Sequence, residues 1–261
     1  MILGDDKDQV EISLQVYLLL ALCSFVAGIV DSIAGGGGLL TVPALLAAGL
    51  PPASALATNK LQSSFGSFSA SYFYVSKKLI DLKQIKKVIF FTFLGSALGT
   101  FLIQRIDSSE LSRVIPFMLL GFVVYFSFSP RLGDVDKHHR ISFALFSVVA
   151  GLVIGFYDGF FGPGTGSFWA LAFVSLVGFN LSKATAHSKV LNFVSNISSL
   201  IVFLFGGKVL WSVGFLMGAG QFVGAQVGSH LVMKKGTRLI KPLLIFVSLA
   251  MSIKLLIAQY F

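Results

Sequence analysis

The stretch GIVDSIAGGGG at residues 28–38 is the part of this sequence that decides the fold, because it occurs a second time. Its copy is GFYDGFFGPGT at 155–165, which repeats the aspartate and several glycines at the same spacing. Asp31 therefore aligns with Asp158, and Gly35 aligns with Gly162. Two apolar stretches that are each interrupted by glycines are typical of a membrane protein built from two homologous halves.

The alignment of the two halves continues beyond the glycines after a two-residue insertion. The aligned pairs are Gly49 with Gly178, Ala55 with Ala184, Ala57 with Ala186, Lys60 with Lys189, Phe93 with Phe222, Gly95 with Gly224, Gly99 with Gly228, and Leu102 with Leu231. We therefore predict a first repeat at 14–129 and a second at 141–261. A polar flank at 1–13 precedes them, and a charged linker at 130–140 joins them.

The composition indicates a membrane protein, since 55% of the residues are hydrophobic and only 12% are charged. Apolar runs near the ~20 residues that a helix needs to cross a bilayer recur along the chain. They lie at 14–33, 59–75, 88–104, 114–129, 141–157, 190–206, 211–232 and 242–260. These runs are apolar on nearly all sides, whereas helices of soluble proteins keep a polar face. The predicted fold class is an all-α polytopic membrane protein.

Several other classes of protein are excluded by composition. The acidic flank DDKDQVE does not fit a cleaved signal peptide, which needs a positive segment there. A single cysteine, Cys23, cannot form a disulfide framework or a cysteine-rich metal site. The net charge of +9 comes from short loops between apolar runs, where lysine and arginine indicate orientation rather than nucleic-acid binding. No cofactor and no metal site are predicted.

The basic loops lie at non-equivalent positions in the two halves. The loop at 76–87 carries five lysines and one aspartate, while its counterpart at 206–211 has a single lysine. Conversely, the loop at 233–241 is basic and its counterpart at 105–113 is balanced. Because positive loops face the cytoplasm, this exchange predicts an inverted repeat in which each half crosses the membrane an odd number of times.

For each half to cross the membrane an odd number of times, the short apolar runs at 39–50 and 167–179 must also cross it. As helices they are shorter than the ~30 Å hydrocarbon core, but each can complete a crossing together with an unwound segment buried in protein. The alternative is a re-entrant hairpin, which gives eight crossings and a parallel repeat. We favour four full helices plus one short, glycine-broken helix in each half, with 76–87, 130–140 and 233–241 in the cytoplasm.

The candidate functional residues begin with Asp31, Lys60, Asp158 and Lys189, which are ionisable, repeat-related and placed in or next to apolar runs. A charge inside a membrane is costly and indicates function by default. The two aspartates either cap the adjacent glycine turn or helix, or bind a coupling proton or cation. The two lysines, predicted at helix starts, either extend to the lipid headgroups or attract a bound anion.

The glycine breaks are the second group of candidates. They comprise Gly35, Gly36, Gly37 and Gly38 in the first half, and Gly162, Gly164 and Thr165 in the second. Glycine allows a helix to end sharply, and the next helix then begins with unpaired N–H groups that suit an anion. Close packing between helices is the alternative use of these glycines.

Polar residues near the lysines complete the candidate site. They are Thr58, Asn59, Gln62 and Ser63 in the first half, and Thr185, His187, Ser188, Asn192 and Asn196 in the second. Such side chains either bind the oxygens of an anion or form hydrogen bonds between helices. His187 is also a candidate proton carrier.

With these motifs the chain resembles the TauE/SafE family of sulfite exporters, which are grouped with toluene-sulfonate uptake permeases. The matching segments are the glycine breaks at 28–38 and 155–166, together with ATNK and ATAHSK. The resemblance covers about 14–258 and implies ion-coupled transport of small sulfur-containing or organic anions across a bacterial inner membrane. It implies a small anion and the lipid bilayer as partners, and a second copy of the chain is a candidate partner.

Two competing functions come from other classes. An intramembrane enzyme could use Asp31 and Asp158 as a catalytic dyad. The chain, however, has no GxGD motif at either aspartate and no HExxH motif. An anion channel is the second alternative, and saturable, coupled flux would distinguish a carrier from it.

Overall fold

A computed structural model describes residues 13–128, 140–235 and 257 of the chain. Within these residues there are helices and turns but no strands. The helices are α1 Leu14–Ala34, α2 Gly38–Ala47, α3 Pro52–Ser76, α4 Leu82–Ile103, α5 Ser108–Phe128, α6 Phe143–Phe160, α7 Thr165–Ala172, α8 Leu181–Gly206 and α9 Trp211–Lys235. A π-helical turn, Phe173–Val177, continues α7. The predicted apolar run 242–260 except residue 257, nearly all of the linker 130–140 and nearly all of the flank 1–13 lie outside the described residues.

The all-helical fold class is confirmed, although the helices differ in how apolar they are. Four described helices are long and apolar enough to cross a membrane, namely α1, α4, α6 and α8. Helices α3 and α9 have 25 residues each. They carry more serine, glutamine and glycine than the other long helices. Helices α2 and α7 are the short apolar helices that follow the glycine breaks.

Helices α3, α4, α5 and α8 begin earlier than their apolar runs predicted, and α3 and α8 carry the lysines of the candidate site. Helix α3 begins at Pro52, since proline suits a first helical position where no N–H partner is available. Helix α8 begins after Asn180, whose side chain accepts a hydrogen bond from the Lys183 N–H at 2.9 Å. Lys60 and Lys189 are consequently eight residues inside their helices. The prediction that both lysines lie in the first turn is wrong.

Helices α3 and α8 lie side by side and run antiparallel. The ring of Phe68 is 5.4 Å from that of Phe193. Farther along α3, Phe73 and Tyr74 share a cluster with Ala186, which comes earlier in α8. Residues later in α3 therefore contact residues earlier in α8, as expected for antiparallel helices.

Glycines let α1 pack against α9 and α4 pack against α6 at backbone contact. A Cβ on Gly224 of α9 would lie 2.0 Å from the Phe25 carbonyl oxygen of α1. A Cβ on Gly95 of α4 would lie 2.5 Å from the Leu152 carbonyl oxygen of α6. Gly224 aligns with Gly95, and Phe25 aligns with Leu152, so the repeat alignment relates the two contacts. In both, the first long helix of one half packs on a helix of the other half, α1 on α9 and α6 on α4.

Each of these glycine-packed pairs runs parallel. Gly95 and Gly99 of α4 approach Leu152 and Phe156 of α6 in the same order. On the other side, Gly220 and Gly228 of α9 approach Ala21 and Ile29 of α1 in the same order. These contacts enclose a polar centre between the two halves.

Candidate functional site

A small cavity lies where the two glycine breaks meet. Its lining residues are Asp31, Gly35, Gly38, Asn59, Lys60, Ser63, Asp158, Gly162, Gly164, Thr165, Gly166, Asn192 and Asn196. Its volume is about 20 Å³, which is room for about one water molecule. Twelve of the residues predicted from sequence line this cavity, from four segments that are far apart in the chain.

The two glycine breaks touch each other at the cavity. Gly35 ends α1 with φ 74°, and a Cβ there would lie 2.4 Å from the Gly166 Cα. A Cβ on Gly38 would lie 3.1 Å from the Pro163 Cα. The Ser167 hydroxyl also donates to the Ala34 carbonyl oxygen and ties α7 to the first break. Glycine is therefore required here by backbone conformation and by close approach.

Gly162 and Gly164 of the second break also have positive φ, at 97° and 83°. Gly37, the counterpart of Gly164, has φ −55°, so the two breaks differ in backbone conformation at this position. A side chain is excluded at Gly37 by space, because its Cβ would lie 2.8 Å from the Asp31 Cβ.

The first ion pair joins Lys60 of α3 to Asp158 of α6. The Lys60 ammonium donates to Asp158 Oδ1 at 2.6 Å and also to the Asp158 carbonyl oxygen. Asp158 Oδ2 accepts a hydrogen bond from the Ser195 hydroxyl. Both side chains are buried, at 2% and 4% exposure. This carboxylate therefore has a donor at each oxygen, and Lys60 does not reach the lipid headgroups.

The second ion pair joins Lys189 of α8 to Asp31 of α1. The Lys189 ammonium donates to the Asp31 carbonyl oxygen. Its distance to Asp31 Oδ2 is 3.9 Å, longer than a hydrogen bond. Asp31 Oδ1 accepts from the Gly37 N–H at 3.1 Å, so Asp31 also stabilises the glycine turn. Lys189 is buried, whereas Asp31 is 13% exposed and lines the cavity.

Hydrogen-bond donors at the cavity remain free. Among the described residues, no acceptor binds the N–H groups of Gly38, Gly164 or Gly166, which lie at the starts of α2 and α7. The Asn59 Oδ1 accepts from Thr41 and Gln62, and no described residue accepts from its amide N–H groups. An anion in the cavity could use these donors together with two positive helix ends.

Some predicted site residues do not line the cavity, namely Gly36, Gly37, Thr58, Gln62, Thr185, His187, Ser188 and Lys189. Gly37 and Lys189 nevertheless bind Asp31, which does line it. Thr58 accepts a hydrogen bond from the Leu210 N–H at 3.0 Å, next to the start of α9. His187 is fully buried between the rings of Phe173 and Phe179, and its Nδ1 lies 2.7 Å from the Lys183 carbonyl oxygen. Sequence distance placed Thr58 and His187 near Lys60 and Lys189, but helix periodicity turns them to other faces.

Two residues were not among the predicted site residues but contact the cavity or its ion pairs. Gly166 lines the cavity, and Ser195 binds Asp158. Gly166 lies two residues after Gly164, at the end of the second glycine break, so its position could have identified it. Ser195 aligns with Gly66 in the other half, so the repeat offered no signal for it.

The family model "Sulfite exporter TauE/SafE" matches residues 20–255 of the chain. The chain belongs to the TauE/SafE family. A "Probable membrane transporter protein" of Haemophilus influenzae is 49% identical, over 95% of this chain and 98% of the relative. The "Probable membrane transporter protein YfcA" of Escherichia coli K12 is 52% identical, over 92% of this chain and 90% of the relative.

A more distant TauE/SafE match is the "Probable membrane transporter protein YunE" of Bacillus subtilis, at 25% identity over 86% of this chain and 91% of the relative. No solved structure matches the chain significantly. The family and the relatives are named as transporters and not as enzymes. The protein is therefore a membrane transporter, and the resemblance seen in its motifs is confirmed.

Proposed function

We propose that this transporter moves small sulfur-containing or organic anions, such as sulfite or a sulfonate, across the bacterial inner membrane. The observation that carries the proposal is the free N–H groups of Gly38, Gly164 and Gly166 around one cavity. Helix starts with unpaired N–H groups bind anions. The description of the family as a sulfite exporter supports the same class of substrate.

Alternating access is the mechanism that we propose. A cavity of about 20 Å³ holds about one water molecule, and a sulfonate is larger. The described arrangement is therefore closed around the site, and substrate entry requires helices to move. The glycine breaks are natural points for that motion, because glycine accommodates large changes of backbone dihedral angle.

An inverted repeat would support this mechanism, and the helix directions favour one. Helix α3 and its counterpart α8 run antiparallel, as the contacts of Phe68 and Ala186 indicate. Helix α9 runs parallel to α3, since Leu61 approaches Gly214 and Ser69 binds Phe222. Counterparts that point in opposite directions are typical of inverted-topology repeats, in which one half rocks against the other.

Each half also supplies the aspartate for the other half's lysine. Lys60 of the first half pairs with Asp158, and Lys189 of the second half pairs with Asp31. A relative movement of the halves would therefore change both ion pairs. In our proposal, these four charged residues link substrate binding to the conformational change.

The proposal is tested by uptake into liposomes that contain the purified protein. We expect saturable uptake of radiolabelled sulfite or 4-toluenesulfonate, and exchange of internal for external anion. The same anions should raise the melting temperature of the protein in detergent, since binding to the folded state stabilises it. Flux that does not saturate would favour the channel alternative, and uptake of none of these anions would contradict the proposal.

A further inference from the structure

The two Lys–Asp pairs are related by the repeat, but their bonding differs. Both oxygens of Asp158 have donors, namely Lys60 and Ser195. Of the two oxygens of Asp31, only Oδ1 has a donor within hydrogen-bonding distance in the described part of the chain, the Gly37 N–H. Asp31 Oδ2 is 3.9 Å from the Lys189 ammonium. One pair is closely bonded, and the other has a free carboxylate oxygen.

The charge of the site explains why that free oxygen matters. Two lysines and two aspartates sum to zero when all four are ionised, so a monovalent anion would leave the buried site with one uncompensated negative charge. Such a charge away from water is costly. A cation that enters with the anion would offset it.

We propose that Asp31, and not Asp158, binds a proton that accompanies the transported anion. The proton binds Oδ2 from one side of the membrane and leaves to the other side with the anion, so that charge balances for a monovalent substrate. The neutral carboxyl then no longer attracts the Lys189 ammonium, which becomes available to the anion. This inference rests on the proposed anion transport.

An acceptor for the new O–H group is present. The Asn192 Oδ1 is buried without a hydrogen-bond partner among the described residues, and Asn192 lines the same cavity as Asp31. It lies three residues after Lys189, on the same face of α8. A metal cation at Asp31 Oδ2 would need several oxygen ligands around it, whereas a proton needs only Oδ2 and one acceptor, so the geometry favours a proton.

Among the residues that the structure describes, few other charged or titratable groups lie around Asp31. Helix α8 contributes Lys189, and α6 contributes Asp158. Helix α3 contributes Lys60 and the phenol of Tyr74, which donates to the Ser32 carbonyl oxygen. Helices α2 and α7 carry no titratable side chains. On α9, His230 lies against the ring of Phe73. Two carboxylates at the cavity are therefore candidates to bind the proton. Because both oxygens of Asp158 already accept hydrogen bonds, Asp31 is the one that we assign.

Infrared difference spectra of the purified protein between neutral and acidic pH test the assignment without any substrate. We expect a protonated carboxyl band in the wild type that Asp31→Asn removes. Asp81→Asn is the matched control, because Asp81 caps α4 outside the cavity and asparagine is also a good cap. Persistence of the band in Asp31→Asn would overturn the proposal.

Transport of 4-toluenesulfonate gives a second readout, since the charge of this anion does not change over the pH range. With one proton per anion, a gradient of one pH unit should raise accumulation about tenfold in the wild type. Asp31→Asn should lose this gain, because asparagine cannot take up the proton. If the variant does not transport, its binding of 4-toluenesulfonate should be independent of pH.

The outcomes separate the two proposals. A gain from the pH gradient, or pH-dependent binding, in Asp31→Asn would assign the proton elsewhere. Dependence on sodium in place of protons would also contradict the inference. A wild-type protein that shows the Asp31 band but moves none of the tested anions would contradict the proposed function and not the proton site.

Discussion

The ion pair between Lys60 and Asp158 is the most buried pair of opposite charges described at the centre of the molecule. Removal of one partner from a buried pair leaves a charge without compensation, which costs about 3–5 kcal/mol. Lys189 differs, because the aspartate that it faces is partly exposed to the cavity and is held mainly by the Gly37 N–H. The two repeat-related lysines should therefore respond differently to substitution.

We expect Lys60→Met to lower the free energy of unfolding by about 3–5 kcal/mol, because Asp158 stays buried without its partner. Abundance in the membrane and the melting temperature in detergent measure this loss. The double variant Lys60→Met, Asp158→Asn removes both charges and should regain part of the stability. A double variant less stable than the single one would contradict this account.

Lys189→Met should leave the melting temperature closer to that of the wild type and reduce the affinity for 4-toluenesulfonate. The variant loses the attraction between the Lys189 ammonium and the bound anion. A loss of about 1–3 kcal/mol lowers the affinity roughly ten- to hundredfold. Binding is read from the ligand-dependent rise of the melting temperature. Unchanged affinity would exclude Lys189 from the anion site.

The glycine breaks and the packed helix pairs set the arrangement of elements. Helix α1 ends at Gly35 with positive φ, and backbone contact with Gly166 joins the two breaks. At the helix pairs, glycines allow backbones to approach without a side chain between them. The glycines of the breaks shape the cavity, and the glycines between packed helices bring the two halves together.

Gly35→Ala should abolish transport, because the new Cβ would meet the Gly166 backbone at 2.4 Å. Gly49→Ala is the matched control, since Gly49 also has positive φ, at 90°, but nothing lies within 4 Å of its Cβ. Both variants carry a backbone strain of about 1–2 kcal/mol. Uptake of 4-toluenesulfonate compares them, and equal uptake by the two variants would show that the contact between the breaks is dispensable.

Gly99→Val should separate α4 from α6, as its Cβ would lie 2.1 Å from the Phe156 carbonyl oxygen. Gly228→Val should have the same effect on α9 and α1, where its Cβ would lie 2.5 Å from the Ile29 carbonyl oxygen. Gly121→Val in α5 is the control, with nothing within 4 Å. We expect lower abundance and melting temperature only for the first two. Normal stability of Gly99→Val would contradict the role in packing.

At the scale of the whole molecule, the direction of each half in the membrane remains a prediction. Helix α3 ends before Lys78, and its antiparallel counterpart α8 ends before Lys208. Single cysteines at these two positions, with Cys23 changed to serine, should therefore lie on opposite sides. An impermeant thiol reagent on intact cells should label Lys208→Cys and not Lys78→Cys. Labelling of both positions, or of Lys78→Cys alone, would contradict the predicted topology.

Composition and repeated spacing predicted a large part of this protein. The apolar runs predicted a polytopic helical protein, and the repeated motifs with the polar residues near the lysines indicated the family and twelve residues that line the cavity. Helix starts were less predictable, because caps such as Asn180 lie outside the apolar runs. The positions of His187 and Thr58 were also not evident, because a neighbour in sequence can lie on another face of a helix.

The sequence by itself determined that this chain is a duplicated, glycine-interrupted membrane transporter, since length, hydrophobicity and motif spacing are local properties. Only the tertiary structure decided that each lysine pairs with the aspartate of the other half, and that Ser195 completes one pair. These partners lie 98 and 158 positions apart in the chain. Such contacts depend on how the helices pack, which is a property of all of them together and not of any single segment.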